Sequence, residues 1–312
     1  MDQRSSLTPE QQAEVDALRE RSATTRRATV PALEELLYSP IPVLDHGFVR
    51  VIDYMGDDAA IVQAARVSYG AGTKRVRDDA GLIRYLMRHR HTSPFEMCEI
   101  KLHLKMPIFV ARQHVRHRVA ALNEVSGRFS VLDREFYFPE PEQLATQSTA
   151  NRQGRGEALS PARAHAVLKL LKDDAALAYG HYEELLSGAP DEPDSGLSRE
   201  LARMSLSVNL YTQLYWKIDL HNLLHYVSLR ADAHSQYEIR VYAQAIQRVI
   251  KAWVPLTHDA FVDYRQQAVT LSGKAFAVVR RLLAGEQVTR AGSAMSPGEW
   301  RELMESLGRT VD

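Results

Sequence analysis

Apolar residues recur along this chain with two periods, and the periods divide it into strands and helices. Glu99–Met106 alternates: Ile100, Leu102, Leu104 and Met106 face one way, Lys101, His103 and Lys105 the other. That period of two predicts a half-buried strand with a polar face. Val49–Met55 predicts a second strand and Glu135–Phe138 a short third. Helical spacing marks Asp57–Val67, where Ala60, Ile61, Ala64, Ala65 and Val67 make one apolar face. Ser68-Tyr69-Gly70-Ala71-Gly72 stops that helix, and another runs from Asp79 to Arg90. Pro107 ends the alternating strand and suits the first turn of a helix from Ile108 to Arg118.

Beyond residue 140 the pattern is mainly helical. Gln143–Leu159, rich in Gln, Ser, Thr, Gly and Arg, reads as a mobile surface excursion. Ser160-Pro161 opens a long helix to Leu186, and Ser187–Leu197 is a loop. Ser198 caps a helix starting at Arg199. Helical patterns continue through His221–Leu229, interrupted near Trp216–Asp219. A further helix spans Ser235 to Trp253 and is closed by Pro255. Thr8-Pro9-Glu10-Gln11 and Ser296-Pro297-Gly298-Glu299 are capping boxes with proline at the first helical position. Helix outweighs strand and a small sheet is required, so the fold class is α+β.

Composition narrows the classes. With 312 residues, 45% hydrophobic and 25% charged, the chain can bury a sizeable core. Lys plus Arg is 39 and Asp plus Glu is 39, which excludes a globally basic nucleic-acid coat. The longest apolar runs, such as Met106–Ala111, fall far short of the ~20 residues of a spanning helix. Met1–Arg27 lacks an apolar signal core, so a cytoplasmic protein with no membrane partner is expected. The one cysteine, Cys98, excludes an intrachain disulfide and a Cys-rich zinc site, and reads as a small buried hydrophobe.

The neutral total conceals a basic segment. From Lys101 to Arg134 there are seven Lys/Arg against two Asp/Glu. Arg116-His117-Arg118 stacks cations in sequence, which opposes folding unless an anion compensates them. Guanidinium forks fit phosphates in bidentate fashion, so a phosphorylated ligand is the physical reading; a solvated basic helix end is the bland one. Asn123 and Glu124 can read a base edge or ribose, and Ser126-Gly127 can bring backbone N–H groups to an anion.

Arg116-His117-Arg118, then Asn123-Glu124, Ser126 and Arg128, resembles the signature of the flavin-dependent thymidylate synthases. Ala121 stands where many members carry Ser. Ala65–Tyr69, His91–Glu96, Pro107–Gln113, Asn209–Gln213 and Leu229–His234 are also similar to family segments. The resemblance covers about 45 to 270, which implies an N-terminal extension 1–45, a catalytic domain 46–271 and a C-terminal extension 272–312.

The resemblance implies a small, mostly antiparallel twisted sheet flanked by helices, in a homotetramer with shared active sites. The implied reaction converts dUMP to dTMP, with 5,10-methylenetetrahydrofolate as carbon donor, FAD reduced by NADPH as hydride source and no cysteine nucleophile. Family contacts to FAD carry over to Ser68, His91, Ser93, Arg116, His117, Arg118, Glu124, Asp219, His221 and His225. Contacts to dUMP carry over to Gln113, Arg116, Glu124, Val125, Ser126, Gly127, Arg128, Arg203 and Arg230. Arg230 is the implied catalytic residue: a guanidinium against the uracil ring favours the ring anion, an effect of about 1–3 pKa units at close range.

Two other classes compete. A nucleic-acid-binding module would use the basic segment Arg112–Arg128 and bind with steep salt dependence. A metalloenzyme would use His221 and His225, four apart on one helical face; without His-Glu-x-x-His, no metal is expected. Tyr211, Tyr215 and Trp216 read as core residues. His117 reads as a flavin contact and Ser126 as a hydrogen-bonding group, since a nucleophilic serine needs an adjacent base.

Overall fold

The alternating run at 99–106 becomes the middle of a five-stranded antiparallel sheet. The computed structural model describes residues 8–68, 79–149, 154–189, 191–192 and 194–309. Its strands are β1 (Pro40–Val43), β2 (Gly47–Met55), β3 (Glu99–Pro107), β4 (Ala121–Glu124), β5 (Ala145–Gln147), β6 (Arg155–Ala158) and β7 (Tyr211–Asp219). The sheet order is β1-β2-β3-β7-β4, and β5 pairs with β6 as a separate hairpin. The helices are α1 (Pro9–Arg19), α2 (Pro31–Glu34), α3 (Asp58–Val67), α4 (Asp79–Arg88), α5 (Ser93–Glu96) and α6 (Ile108–His114). They continue with α7 (Pro161–Ser187), α8 (Arg199–Ala202), α9 (Leu220–Arg230), α10 (Tyr237–Trp253), α11 (Pro255–Phe261), α12 (Gly273–Leu283) and α13 (Pro297–Ser306). The class is α+β, as expected. Among the described residues no helix is long and apolar enough to cross a membrane.

Period two explains the sheet. Ile100, Leu102, Leu104 and Met106 of β3 are buried, beside Leu214, Trp216 and Ile218 of β7. The α10 helix buries Ile239, Tyr242, Ile246, Val249, Ile250 and Trp253 at helical spacing and lies against β1, β2 and α9. The opposite face of β3 is less polar in fact than in pattern. Lys105 is buried and ion-paired with Glu135 at 2.5 Å. His103 sits between Arg50 Nη2 (2.9 Å) and Gln213 Oε1 (3.0 Å).

Six expectations change. The short strand expected at Glu135–Phe138 is reduced to an isolated antiparallel bridge between Phe136 and Leu210. Residues 211–219 form a strand where the pattern suggests helix with an interruption near Trp216–Asp219; Tyr211, Thr212, Tyr215, Trp216 and Ile218 are the β-branched and aromatic residues a strand favours. The 108–118 helix stops at His114, so Arg116-His117-Arg118 leaves it through a turn and irregular chain that lead into β4. Residues 145–147 and 155–158 pair as β5 and β6 within the expected excursion. Pro255 opens α11, because proline is favoured at a first helical position. Tyr215 is 41% exposed and stacks on His103, whereas Tyr211 and Trp216 are core. The stop read at 68–72 lies, past Ser68, outside the described residues.

Gly56 ends β2 at φ +87°, a left-handed conformation that glycine tolerates. A Cβ there would come within 2.6 Å of Cys98 Sγ, so Gly56 also makes room for the thiol. Residues 262–312 form a separate compact unit, in which α12 and α13 bury Val278, Trp300, Leu303 and Met304.

Candidate active site

The cationic signature and the last turn of α9 meet in one cleft of about 620 Å³, lined by Arg116, His117, Arg118, Val119, Ile218, Asn222, His225, Leu229 and Arg230. Two local features aim these groups. The end of α6 at His114 frees the Arg-His-Arg run from helical spacing. On α9, Asn222, His225 and Leu229 share one face because they stand three and four residues apart. Asp219 fixes where α9 begins: its carboxylate accepts from the Asn222 backbone N–H at 3.0 Å and from Asn222 Nδ2 at 2.7 Å.

The electrostatics favour an anionic guest. Among the described residues no carboxylate lines the cleft, and none pairs with Arg116, Arg118 or Arg230. Asp232, two residues beyond Arg230, instead hydrogen-bonds His234 at 2.9 Å. Arg230 Nε donates to His117 Nε2 at 3.0 Å. Arginine can only donate, so His117 is a neutral imidazole with its proton on Nδ1. Burial, then the Arg230 and His225 charges, pushes its pKa down to about 4. With Nε engaged, the Arg230 Nη groups remain for a ligand. Behind them His114 is fully buried, its Nδ1 at 3.2 Å from Tyr226 Oη, its ring 4.2 Å from Trp216, and its Nε2 without a partner.

The other expected residues fall into separate groups. Glu124 ends β4, where its carboxylate accepts from the buried Thr212 hydroxyl at 2.6 Å. Val125–Arg128 follow at the far end of β4, about 13 Å of strand from Val119 and Ala120. There Gly127 is buried against Arg203, and Arg128 pairs with Glu200 at 3.3 Å. Ser126 Oγ accepts from the Arg128 N–H at 3.3 Å, and among the described residues no imidazole or carboxylate reaches it. Gln113 on α6 donates to Gln236 Oε1 at 2.5 Å. Ser68 caps the end of α3, and Ser93 opens α5, which packs on α9 near the half-buried His221. His91 is exposed beside Tyr85 and His89.

One chain therefore gathers Arg116, His117, Arg118, His225 and Arg230, and leaves the Ser68/His91/Ser93 and Val125–Arg128/Arg203 groups apart. Asn222 and His114 were missed as site residues. Asn222 was findable from its place three residues before His225 on the same helical face. His114 continues the Val110 and Ala111 face of α6, which marks it as buried. Among the described residues no group of three His, Cys, Asp or Glu is placed to hold a metal ion. Cys98 is buried, and burial with the nearby Asp57 and Asp58 charges pushes its thiol up to about 12.

Comparison with known proteins agrees with this chemistry. The profile of the thymidylate synthase complementing protein family matches residues 50–256. A flavin-dependent thymidylate synthase of Ruegeria pomeroyi is 59% identical over 303 residues, 97% of this chain and 99% of the relative. The one of Gluconobacter oxydans is 59% identical over 302 residues, covering 96% and 98%. Among solved structures, the UMP/dUMP methylase PolB of Streptomyces cacaoi, bound with 5-bromo-UMP, superposes with TM-score 0.63 at 33% identity. That match covers 72% of this chain and 96% of PolB. A chain so matched along nearly its whole length belongs to the flavin-dependent thymidylate synthases.

Proposed function

We propose that the Arg116–Arg118/Arg230 cleft is where this thymidylate synthase holds its anionic ligands, with Arg230 as the group that activates the uracil ring. The enzyme methylates dUMP to dTMP, with methylenetetrahydrofolate as carbon donor and FAD reduced by NADPH. The observation that carries the site assignment is the Arg230–His117 hydrogen bond in a cleft without a carboxylate. Unpaired guanidinium groups of this kind fit the FAD pyrophosphate and the dUMP phosphate. When bound, reduced FAD supplies the hydride.

The protein's own contributions follow from position. His117, kept neutral, orients Arg230 through Nε and leaves its Nη groups for the uracil edge. A guanidinium there stabilises the ring anion and raises electron density at the reactive carbon, so no covalent nucleophile is needed. The burial of Cys98 and the lack of a base at Ser126 support that reading. Arg116, Arg118 and His225 serve the flavin, together with Ser68, His91, Ser93, Glu124, Asp219 and His221. Gln113, Val125–Arg128 and Arg203 serve dUMP.

The active sites are completed between copies in a homotetramer. Two observations support this. The site groups lie apart within one chain, and each has large apolar side chains exposed next to it in sequence: Val119 at 64%, Phe129 at 77% and Met204 at 74% exposure. The catalytic region spans 46–271 between extensions 1–45 and 272–312. The family match ending at 256 and the separate packing of 262–312 support a boundary in this region. The enzyme works in the cytoplasm on small molecules, with no nucleic-acid partner; the comparisons support the enzyme and not the nucleic-acid reading of Arg112–Arg128.

The test is tritium release from dUMP labelled at the carbon that accepts the methyl group. Release should require NADPH and methylenetetrahydrofolate. No release with FAD added would refute the reading.

A further inference from the structure

The β5–β6 pair is tied to Gln113, an expected dUMP contact, by one continuous run of side chains. Arg155 of β6 donates through Nη2 to both oxygens of Glu238, at 2.6 and 2.7 Å. Glu238, at the start of α10, is 2% exposed and also accepts from the Tyr137 hydroxyl at 3.0 Å. Gln236 Nε2 donates to Glu238 Oε2 at 2.9 Å. Gln113 Nε2 then donates to Gln236 Oε1 at 2.5 Å.

The order of these bonds is dictated by its charged end. An ionised carboxylate can only accept, so the Gln236 amide must turn its nitrogen toward Glu238 and its oxygen toward Gln113. Gln113 must in turn give its nitrogen to Gln236, which leaves its Oε1 as the acceptor presented outward. A side-chain amide left to itself can present either end. Arg155 keeps the first member ionised: burial raises the Glu238 pKa, but the hydrogen bonds from Arg155 and Gln236 outweigh it and the net shift is downward.

We infer that Arg155 and Glu238 are positioning residues that act through Gln236 to hold Gln113 with its carbonyl oxygen facing the nucleotide. The inference rests on the reading that Gln113 meets dUMP. It assigns the hairpin a purpose in this chain: β6 delivers the cation that sets the direction of the relay. The group recognised by Gln113 is then a donor on the nucleotide, an imide N–H or a sugar hydroxyl, and a ligand offering only an acceptor there is rejected.

The experiment uses the flavin-loaded enzyme and compares four variants. Gln113→Ala tests the underlying reading and should raise the dUMP KM about tenfold, the worth of one good hydrogen bond to a ligand. Glu238→Gln is nearly isosteric and keeps an acceptor for Arg155, but it can turn an NH2 toward Gln236 and reverse the relay. Gln236→Leu breaks the link at an exposed position without disturbing a buried charge. Both should raise the dUMP KM by about three- to tenfold, leaving kcat, the methylenetetrahydrofolate KM and the flavin content unchanged. Arg155→Met, which removes the cation from Glu238, should raise the dUMP KM in the same way, and an unchanged KM in that variant would overturn the role of Arg155. A purely structural role would lower the melting temperature without this selective KM effect. An unchanged dUMP KM in Gln236→Leu, with Gln113→Ala impaired, overturns the relay and leaves the Gln113 reading intact. An unchanged dUMP KM in Gln113→Ala overturns both.

Discussion

Acid should destabilise this protein well above the range in which carboxylates titrate, because three histidines are folded as neutral imidazoles. Burial, with Arg50 next, holds His103 down to about 4. Burial holds His114 down to about 3, and burial with Arg230 holds His117 down to about 4. In the unfolded chain each takes up a proton below about pH 6.5. The unfolded state therefore binds more protons between pH 6.5 and 4, and stability falls as pH falls through that window. Each group contributes a slope of about 1.4 kcal/mol per pH unit. His117 lines the open cleft, so solvent screening reduces its share. Two to three effective protons give about 3–4 kcal/mol per pH unit near pH 5, a large fraction of a typical folding free energy. Asp58, whose pKa burial raises, acts in the opposite direction.

The assay is urea unfolding at about pH 7, 6 and 5, at one protein concentration because subunit association contributes to apparent stability. His103→Gln keeps a polar group between Arg50 and Gln213 and cannot titrate. Its slope should be lower than wild type by about one proton. A wild-type slope under about 1 kcal/mol per pH unit, or an unchanged slope in His103→Gln, would refute the assignment of these histidines as neutral.

Three further outcomes can be checked separately. Cys98→Ala should retain turnover within about threefold of wild type, a factor equivalent to under 1 kcal/mol; a loss of several orders of magnitude would reinstate a thiol mechanism. Ser126→Ala should leave measurable activity and a raised dUMP KM, whereas abolished turnover with dUMP binding intact would make the hydroxyl a nucleophile. Asp219→Ala should cost about 1 kcal/mol through loss of the α9 cap, and Asp219→Ser should recover most of it; a lowered flavin content in both variants at equal stability would show that the carboxylate also touches flavin.

The legible parts of this fold were those in which one pattern had one cause. The alternation of β3 and the apolar faces of α3, α4 and α10 reflect burial on one side, so periodicity located them. The β7 strand was misread because aromatic residues and leucine from Asn209 to Trp216 also fit a helical face. Its pairing with β3 along nine residues decides the matter, and pairing is not local information. The β4 strand has four exposed residues and so no alternation to detect. Lys105 looked solvent-facing because its burial depends on Glu135, thirty residues away. The Arg-His-Arg run was visible as unbalanced charge, and the resemblance then supplied Arg230. No sequence spacing could show that Arg230 reaches His117, since that contact depends on where α9 ends against the chain leaving α6. Gln113 was visible as a family residue, whereas its restraint by Gln236 and Glu238 depends on α10 docking beside α6.

The most direct measurement of the central claim is tritium release from labelled dUMP by Arg230→Ala, with flavin absorbance recorded on the same sample. The guanidinium is assigned to stabilising the ring anion, an effect of about 1–3 pKa units. Turnover should therefore fall by about tenfold to a thousandfold, while the flavin, assigned to the other cleft cations, should stay bound. Near-normal turnover in flavin-loaded Arg230→Ala would contradict the account.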